Sequence, residues 1–105
     1  MCPLRLSPGI EQYTEAHTTP VDDYMAELHV ETRAMPGAQM LSGVVEGRFL
    51  ETLAFVTGAR LALDIGTFTG NSALSMAEGM GREGRVISLD RDQKAVAVAR
   101  RFIAR

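Results

Sequence analysis

The sequence predicts an α/β fold built on a parallel strand–helix–strand unit, and three stretches carry that prediction. Leu61 to Ile65 is a short apolar run interrupted by one carboxylate, Asp64. A glycine turn from Gly66 to Gly70 follows, and then a helix-like segment, Asn71 to Met80. Arg85 to Asp90 reads as a second short strand, again ending in a carboxylate. Strand, glycine loop, helix and strand in that order are the opening of a nucleotide-binding βαβ unit.

The elements follow in chain order. Met1 to Gly9 holds two prolines and a glycine and reads as loop, and Ile10 to His17 as a short helix containing Tyr13. Thr19 is placed to cap a helix with Pro20 at its first position and Asp22 three residues on, as in a capping box. That helix is expected from Pro20 to about Ala34, with Val21, Tyr24, Met25, Leu28 and Met35 on one face. Pro36-Gly37 ends it, and Gln39 to Gly43 is a loop. Val44 to Thr57 is the next helix, with Val45, Phe49, Leu53 and Val56 on its apolar face and Gly58 as its stop. Gly47 inside it costs about 1 kcal/mol against alanine, which implies a close neighbour, a packed helix before a ligand. Asn71 to Met80 carries Ala73, Leu74, Met76 and Ala77, and Gly79, Gly81 and Gly84 break it up. Asp92 caps a last helix, Gln93 to Arg105, whose inward residues are expected to be Val96, Ala99, Phe102 and Ile103.

A chain of 105 residues holds one domain at most. With a formal charge of −2, a pI of about 5.6 and no basic stripe, it offers no nucleic-acid surface. Cys2 is the sole cysteine, so no disulfide forms within the chain and a reducing, cytoplasmic setting is expected. The N-terminus lacks the apolar core of a signal peptide, and no run approaches the roughly 18 apolar residues of a membrane helix. His17 and His29 share no metal-ligand spacing with each other or with a carboxylate cluster. His29 is expected on the solvated side of its helix. Asp22 and Asp23 suit a helix N-terminus, and Arg100, Arg101 and Arg105 a solvated helix end.

The glycine loop points to a ligand. Gly66 permits the sharp turn that lets a ligand approach the backbone. The spacing is Gly66-x-x-x-Gly70, not the G-x-G-x-x-G of dinucleotide sites. Asp64 beside the loop would repel a pyrophosphate in a partly dry crevice. It would attract a ligand with an ammonium group and no phosphate, such as S-adenosylmethionine (SAM). Asp90, twenty-four positions after Gly66, is placed for both ribose hydroxyls. The plainer alternatives are a glycine-rich turn with Asp64 capping a loop amide, and Asp90 as a helix cap, although Asp92 already fills that role.

Five blocks come in one order: Tyr13-Thr-Glu-Ala-His-Thr-Thr-Pro20, Glu31-Thr-Arg-Ala-Met-Pro-Gly37, Glu46-Gly-Arg-Phe-Leu50, Asp64-Ile-Gly-Thr-Phe-Thr-Gly70 with Ser72, and Val86-Ile-Ser-Leu-Asp90. From about Tyr13 onward the chain resembles the cation-dependent O-methyltransferases, the caffeoyl-CoA and catechol O-methyltransferase-like family. The resemblance implies a Rossmann-like class I methyltransferase fold, here incomplete: N-terminal helices, then strand-helix-strand-helix of a parallel sheet. It divides the chain into an N-terminal loop and short helix (1–19), helices covering the acceptor side (20–58) and the first half of the SAM-binding domain (59–105).

By the resemblance, Asp64 and the backbone of Gly66 and Thr67 hold the methionine end of SAM. Ser72 bonds its carboxylate, Asp90 takes its ribose hydroxyls, and Ser42 touches it through the backbone. The implied reaction is methyl transfer to a hydroxyl of a small catechol-like or acyl-CoA-linked phenolic acceptor. A divalent metal such as Mg2+ is implied for full-length relatives, but its ligands and the family's catalytic lysine fall beyond the position matching Arg105. No residue here is assigned to catalysis or metal binding, and the chain alone is expected to be inactive. A small-molecule acceptor is the implied partner, with no nucleic acid or membrane and with a homodimer left open. The chain departs from the family pattern in three places: Arg48 for glutamine, Gly43-Val44-Val45 for Ser or Pro with acidic residues, and Asn71 for tyrosine. An NAD-binding half of an oxidoreductase and a non-enzymatic interaction fragment are the alternative readings.

Overall fold

The computed structural model describes residues 7–105; Cys2 and the start of the loop expected over Met1 to Gly9 lie outside them. Five helices and two strands follow in the order α1 (Pro8–Ala16), α2 (Asp23–Arg33), a 3-10 turn (Ala38–Met40), α3 (Val44–Val56), β1 (Leu61–Ile65), α4 (Asn71–Met80), β2 (Arg85–Leu89) and α5 (Gln93–Ile103). The fold is α/β with a short parallel sheet, a partial Rossmann-like arrangement. The strands pair in register from Leu61 with Arg85 to Ile65 with Leu89.

Helix α1 starts earlier than the periodicity predicts, because Pro8 supplies a preset first turn. Helix α2 starts later. Its N-cap is Asp22, and Thr19 and Pro20 remain outside it. The reason is Arg48, which donates from Nε to the Thr19 carbonyl at 3.1 Å and from Nη2 to the Pro20 carbonyl. Those acceptors are thereby taken by a side chain instead of by a first helical turn.

The apolar face expected for α2 is correct: Met25 and Leu28 form a core with Val98 and Phe102 of α5, and Val21, Tyr24, Met35 and Leu74 pack against it. Helix α5 is rotated from expectation. Ala95, Val98, Ala99 and Phe102 are buried, while Ile103 is 54% exposed. That stripe keeps strict i, i+3, i+4, i+7 spacing. Asp92 caps α5, its carboxylate accepting from the Lys94 and Ala95 amides at 3.0 and 3.3 Å. Arg101 and Arg105 remain exposed but pair with Glu31 and Glu27 of α2.

Helix α3 overturns its expected face. Phe49, Leu53 and Val56 are 60%, 41% and 66% exposed, and the buried residues are Gly47 and Ala54. Small residues face inward because α3 lies directly against α4. A Cβ on Gly47 would stand 2.8 Å from Ser75 Oγ, so Gly47 marks helix packing. Gly79 does not break α4. It sits within the helix, where a Cβ would stand 2.9 Å from the Glu51 carbonyl carbon and closer still to its oxygen. Gly47 with Ser75 and Glu51 with Gly79 are successive contacts one turn apart, so the two helices run in the same direction.

Ala62 and Asp64 of β1 face the helices, with Val86 and Ser88 beside them. Leu61, Leu63 and Ile65 point the other way and are exposed, as are Ile87 and Leu89. No helix among the described residues is long and apolar enough to cross a membrane.

Candidate functional site

The loop between β1 and α4 is held in an unusual backbone path. Gly66 and Gly70 have φ of 102° and 99°, and Phe68 has φ of 47°, rare for a residue with a side chain. Four attachments hold it there. The Gly66 and Thr67 amides both donate to the Leu89 carbonyl, at 2.8 and 3.1 Å. Thr67 Oγ1 lies 2.6 Å from Ser88 Oγ. The Phe68 amide donates to Asp90 Oδ2 at 2.6 Å. Thr69 Oγ1 lies 2.8 Å from Thr32 Oγ1, and both residues are fully buried. Thr32 gives its own proton to the Leu28 carbonyl at 2.7 Å. One hydroxyl carries one proton, so Thr69 supplies the proton between the two threonines.

Asp64 is buried beneath the loop and accepts from Ser72 Oγ at 3.0 Å and Ser88 Oγ at 2.5 Å. With the Ser88 proton committed to Asp64, Thr67 donates to Ser88. Two strands, the loop and the start of α4 are thus tied to one carboxylate. Asp90 lies in the open at the end of β2. The Asp92 and Phe68 amides, followed by that of Arg91, hold its carboxyl below the ordinary value of 3.8. Oδ2 accepts from the Phe68 amide and Oδ1 from the Asp92 amide, and each oxygen keeps acceptor capacity for a hydroxyl donor.

A small notch of about 40 Å³ opens above the loop, between Met40–Ser42 on one side and Gly66–Thr69 with Asn71 and Ser72 on the other. Of the expected site residues, Ser42, Gly66, Thr67 and Ser72 meet there. Asp64 lies beneath the notch and reaches it through Ser72. Asp90 faces a separate open groove of about 420 Å³ beside Gln93, Val96, Ala97 and Arg100, and is joined to the notch by Phe68.

Sequence reasoning missed Ser88, Thr69 and His29, and noted Asn71 only as a departure. His29 is buried, contrary to expectation, with Nε2 2.6 Å from Asn71 Oδ1. Its burial continues the α2 stripe of Met25 and Leu28, and Asn71 satisfies its polar atom. That spacing was the available signal. Asn71 Nδ2 in turn donates to the Ser42 carbonyl at 2.9 Å and lies 2.8 Å from Ser42 Oγ.

The site has features suited to an adenosyl amino acid. Helix α4 is capped by Gly70, which has no side chain to take its first amides, so its positive end is available to a carboxylate. The glycine loop brings backbone to the surface of the notch, and Asp90 offers an anionic acceptor. A divalent metal finds no comparable fit: among the described residues, no three His, Cys, Asp or Glu side chains converge.

Residues 14–105 match the family model for O-methyltransferase. The chain belongs to this O-methyltransferase family. It is 29% identical over 89 residues to a probable caffeoyl-CoA O-methyltransferase of Dictyostelium discoideum, covering 83% of this chain and 36% of that protein. It is 40% identical over 60 residues to a catechol O-methyltransferase of Niastella koreensis, covering 57% of this chain and 27% of that protein. The crystal structure of a Bacillus cereus O-methyltransferase in complex with SAH superposes with a TM-score of 0.81 at 31% identity, covering 91% of this chain and 44% of that one. The chain therefore spans less than half the length of these relatives.

Proposed function

We infer that the chain forms the cofactor-binding part of a SAM-dependent O-methyltransferase. The acceptor class is a hydroxyl on a small catechol-like or acyl-CoA-linked phenol, as the names of the two sequence relatives suggest. The observation that carries the reading is the fastened glycine loop with Asp64 beneath it and Asp90 at its far side. When bound, SAM supplies an electrophilic methyl group on its sulfonium.

The rest is work for this chain's own residues. The first amides of α4 would take the amino-acid carboxylate, and the Gly66–Thr67 backbone would lie along the same end. Asp90 would accept from the ribose hydroxyls and repel a 2′-phosphate. Asp64 would contribute negative charge toward the ammonium while its serine partners keep it from rotating. Holding the donor in one pose lowers the entropic part of a transfer barrier.

Isothermal titration of the 105-residue chain with S-adenosylhomocysteine (SAH), and separately with NADH, tests this reading. Saturable SAH binding without NADH binding is expected. Binding of NADH and not SAH would favour an oxidoreductase half instead.

A further inference from the structure

His29, Asn71 and Ser42 form a polar chain between α2 and the wall of the notch, and its direction is fixed by chemistry. The Ser42 carbonyl can only accept, so the Asn71 amide must turn its Nδ2 toward Ser42. Its Oδ1 then faces His29, and His29 Nε2 must carry the proton. His29 and Asn71 are 3% and 5% exposed, so water does not readily replace either partner. A buried donor or acceptor stripped of its partner carries the full desolvation cost.

Asn71 stands at the start of α4, inside the wall formed by Gly66 to Ser72, and its amide grips the opposite wall at Ser42. We propose that Asn71, aligned by the Nε2–H of His29, is a positioning residue that sets the spacing of the two walls and with it the affinity for the adenosyl amino acid. The affinity half rests on the cofactor reading above; the positioning half stands without it. Neither residue touches the loop carboxylates, so the relay acts from α2 independently of Asp64 and Asp90.

The test compares the unaltered chain with His29→Leu and His29→Gln. The glutamine amide can donate where the imidazole did, and leucine cannot. Proton–nitrogen correlation spectra of the unaltered chain are expected to show His29 protonated at Nε2, and amide exchange to show protection at Met40 and Leu41, whose N–H groups donate within the turn that leads into Ser42. In His29→Leu, exchange at residues 40 and 41 should rise, and SAH affinity should fall about tenfold, equivalent to roughly 1.4 kcal/mol. His29→Gln should recover most of both. A Val98→Ala variant supplies a control that destabilises the core away from the notch and should leave affinity unchanged. Should His29→Leu lower the melting temperature while exchange at residues 40 and 41 and SAH affinity stay put, the histidine is structural only and the proposal is overturned. A chain that binds no SAH at all removes the cofactor reading, and the exchange data then decide the positioning role alone.

Discussion

Ser88 Oγ stands 2.5 Å from Asp64 Oδ2, across two parallel strands whose register places these residues opposite each other. Pairing a hydroxyl with a carboxylate at matched positions converts strand register into a fixed carboxylate orientation beneath the glycine loop. Ser88→Ala removes one of two hydroxyl donors to Asp64 and frees Thr67 Oγ1. A loss of about 1.5–3 kcal/mol in stability is expected, the range for a hydrogen bond to a charged group. Urea titration reads it. A Ser88→Ala midpoint equal to that of the unaltered chain would mean that Ser72 alone satisfies Asp64.

Asp90 makes a prediction with a definite sign. Its folded carboxyl is held below 3.8 by the Asp92 and Phe68 amides, so the native state takes up a proton less readily than the unfolded chain. The stability it contributes is complete above about pH 3.9 and is lost as pH falls through the lowered folded value. Asp90→Asn keeps the shape and removes the charge. Its urea midpoint is expected to fall less than that of the unaltered chain between about pH 4 and pH 3. At neutral pH the same variant should weaken SAH binding by roughly tenfold or more, since it keeps only one acceptor oxygen for two hydroxyls. Equal slopes in acid would show that the two amides do not distinguish the charged from the neutral carboxyl.

Gly79→Ala separates local propensity from packing. By propensity alone, alanine in the body of α4 should stabilise the helix by about 1 kcal/mol. The added carbon would instead run into the Glu51 carbonyl of α3. Net destabilisation of about 2 kcal/mol or more is expected, because backbone cannot step aside as a flexible side chain can. A thermal melt of Gly79→Ala that rises would show that the helices separate freely there.

Gly79 also marks what the sequence could and could not reveal. Both strands, the α4 boundaries and the Asp92 cap were legible, because glycine, carboxylate and apolar runs are local signals. The α2 core stripe was legible for the same reason. The inward face of α3 was not. Phe49, Leu53 and Val56 outweigh Gly47 and Ala54 in hydrophobicity, yet close approach of α4 selects the small residues. His29 lies on the α2 stripe by spacing but reads as solvated by residue type, because the partner that satisfies its ring nitrogen, Asn71, is 42 residues away. At the site, the carboxylates and glycines announced themselves, whereas Ser88 and Thr69 acquire roles only when strand pairing and α2 packing bring their partners. The late start of α2 has the same origin, a long-range arginine overriding a local capping box.

Arg48→Gln tests that arginine. The guanidinium donates to two carbonyls of the linker before α2, and it pairs with Glu51 at 2.5 Å and Glu78 at 3.4 Å. Its own charge is reinforced chiefly by the Glu51 hydrogen bond. Glu78 also accepts from the Tyr24 hydroxyl, whose pKa is raised by burial and by that bond. Glutamine lacks the reach and the charge to serve all four acceptors. Removing the cation leaves Glu51 and Glu78, both partly buried, without their shared partner and loosens the linker at Thr19 and Pro20. Stability should drop by about 1–2 kcal/mol, with faster amide exchange at Thr19 and over residues 21–24. Unchanged exchange in that linker would show that the packing of Val21 and Tyr24, and not Arg48, sets where α2 begins.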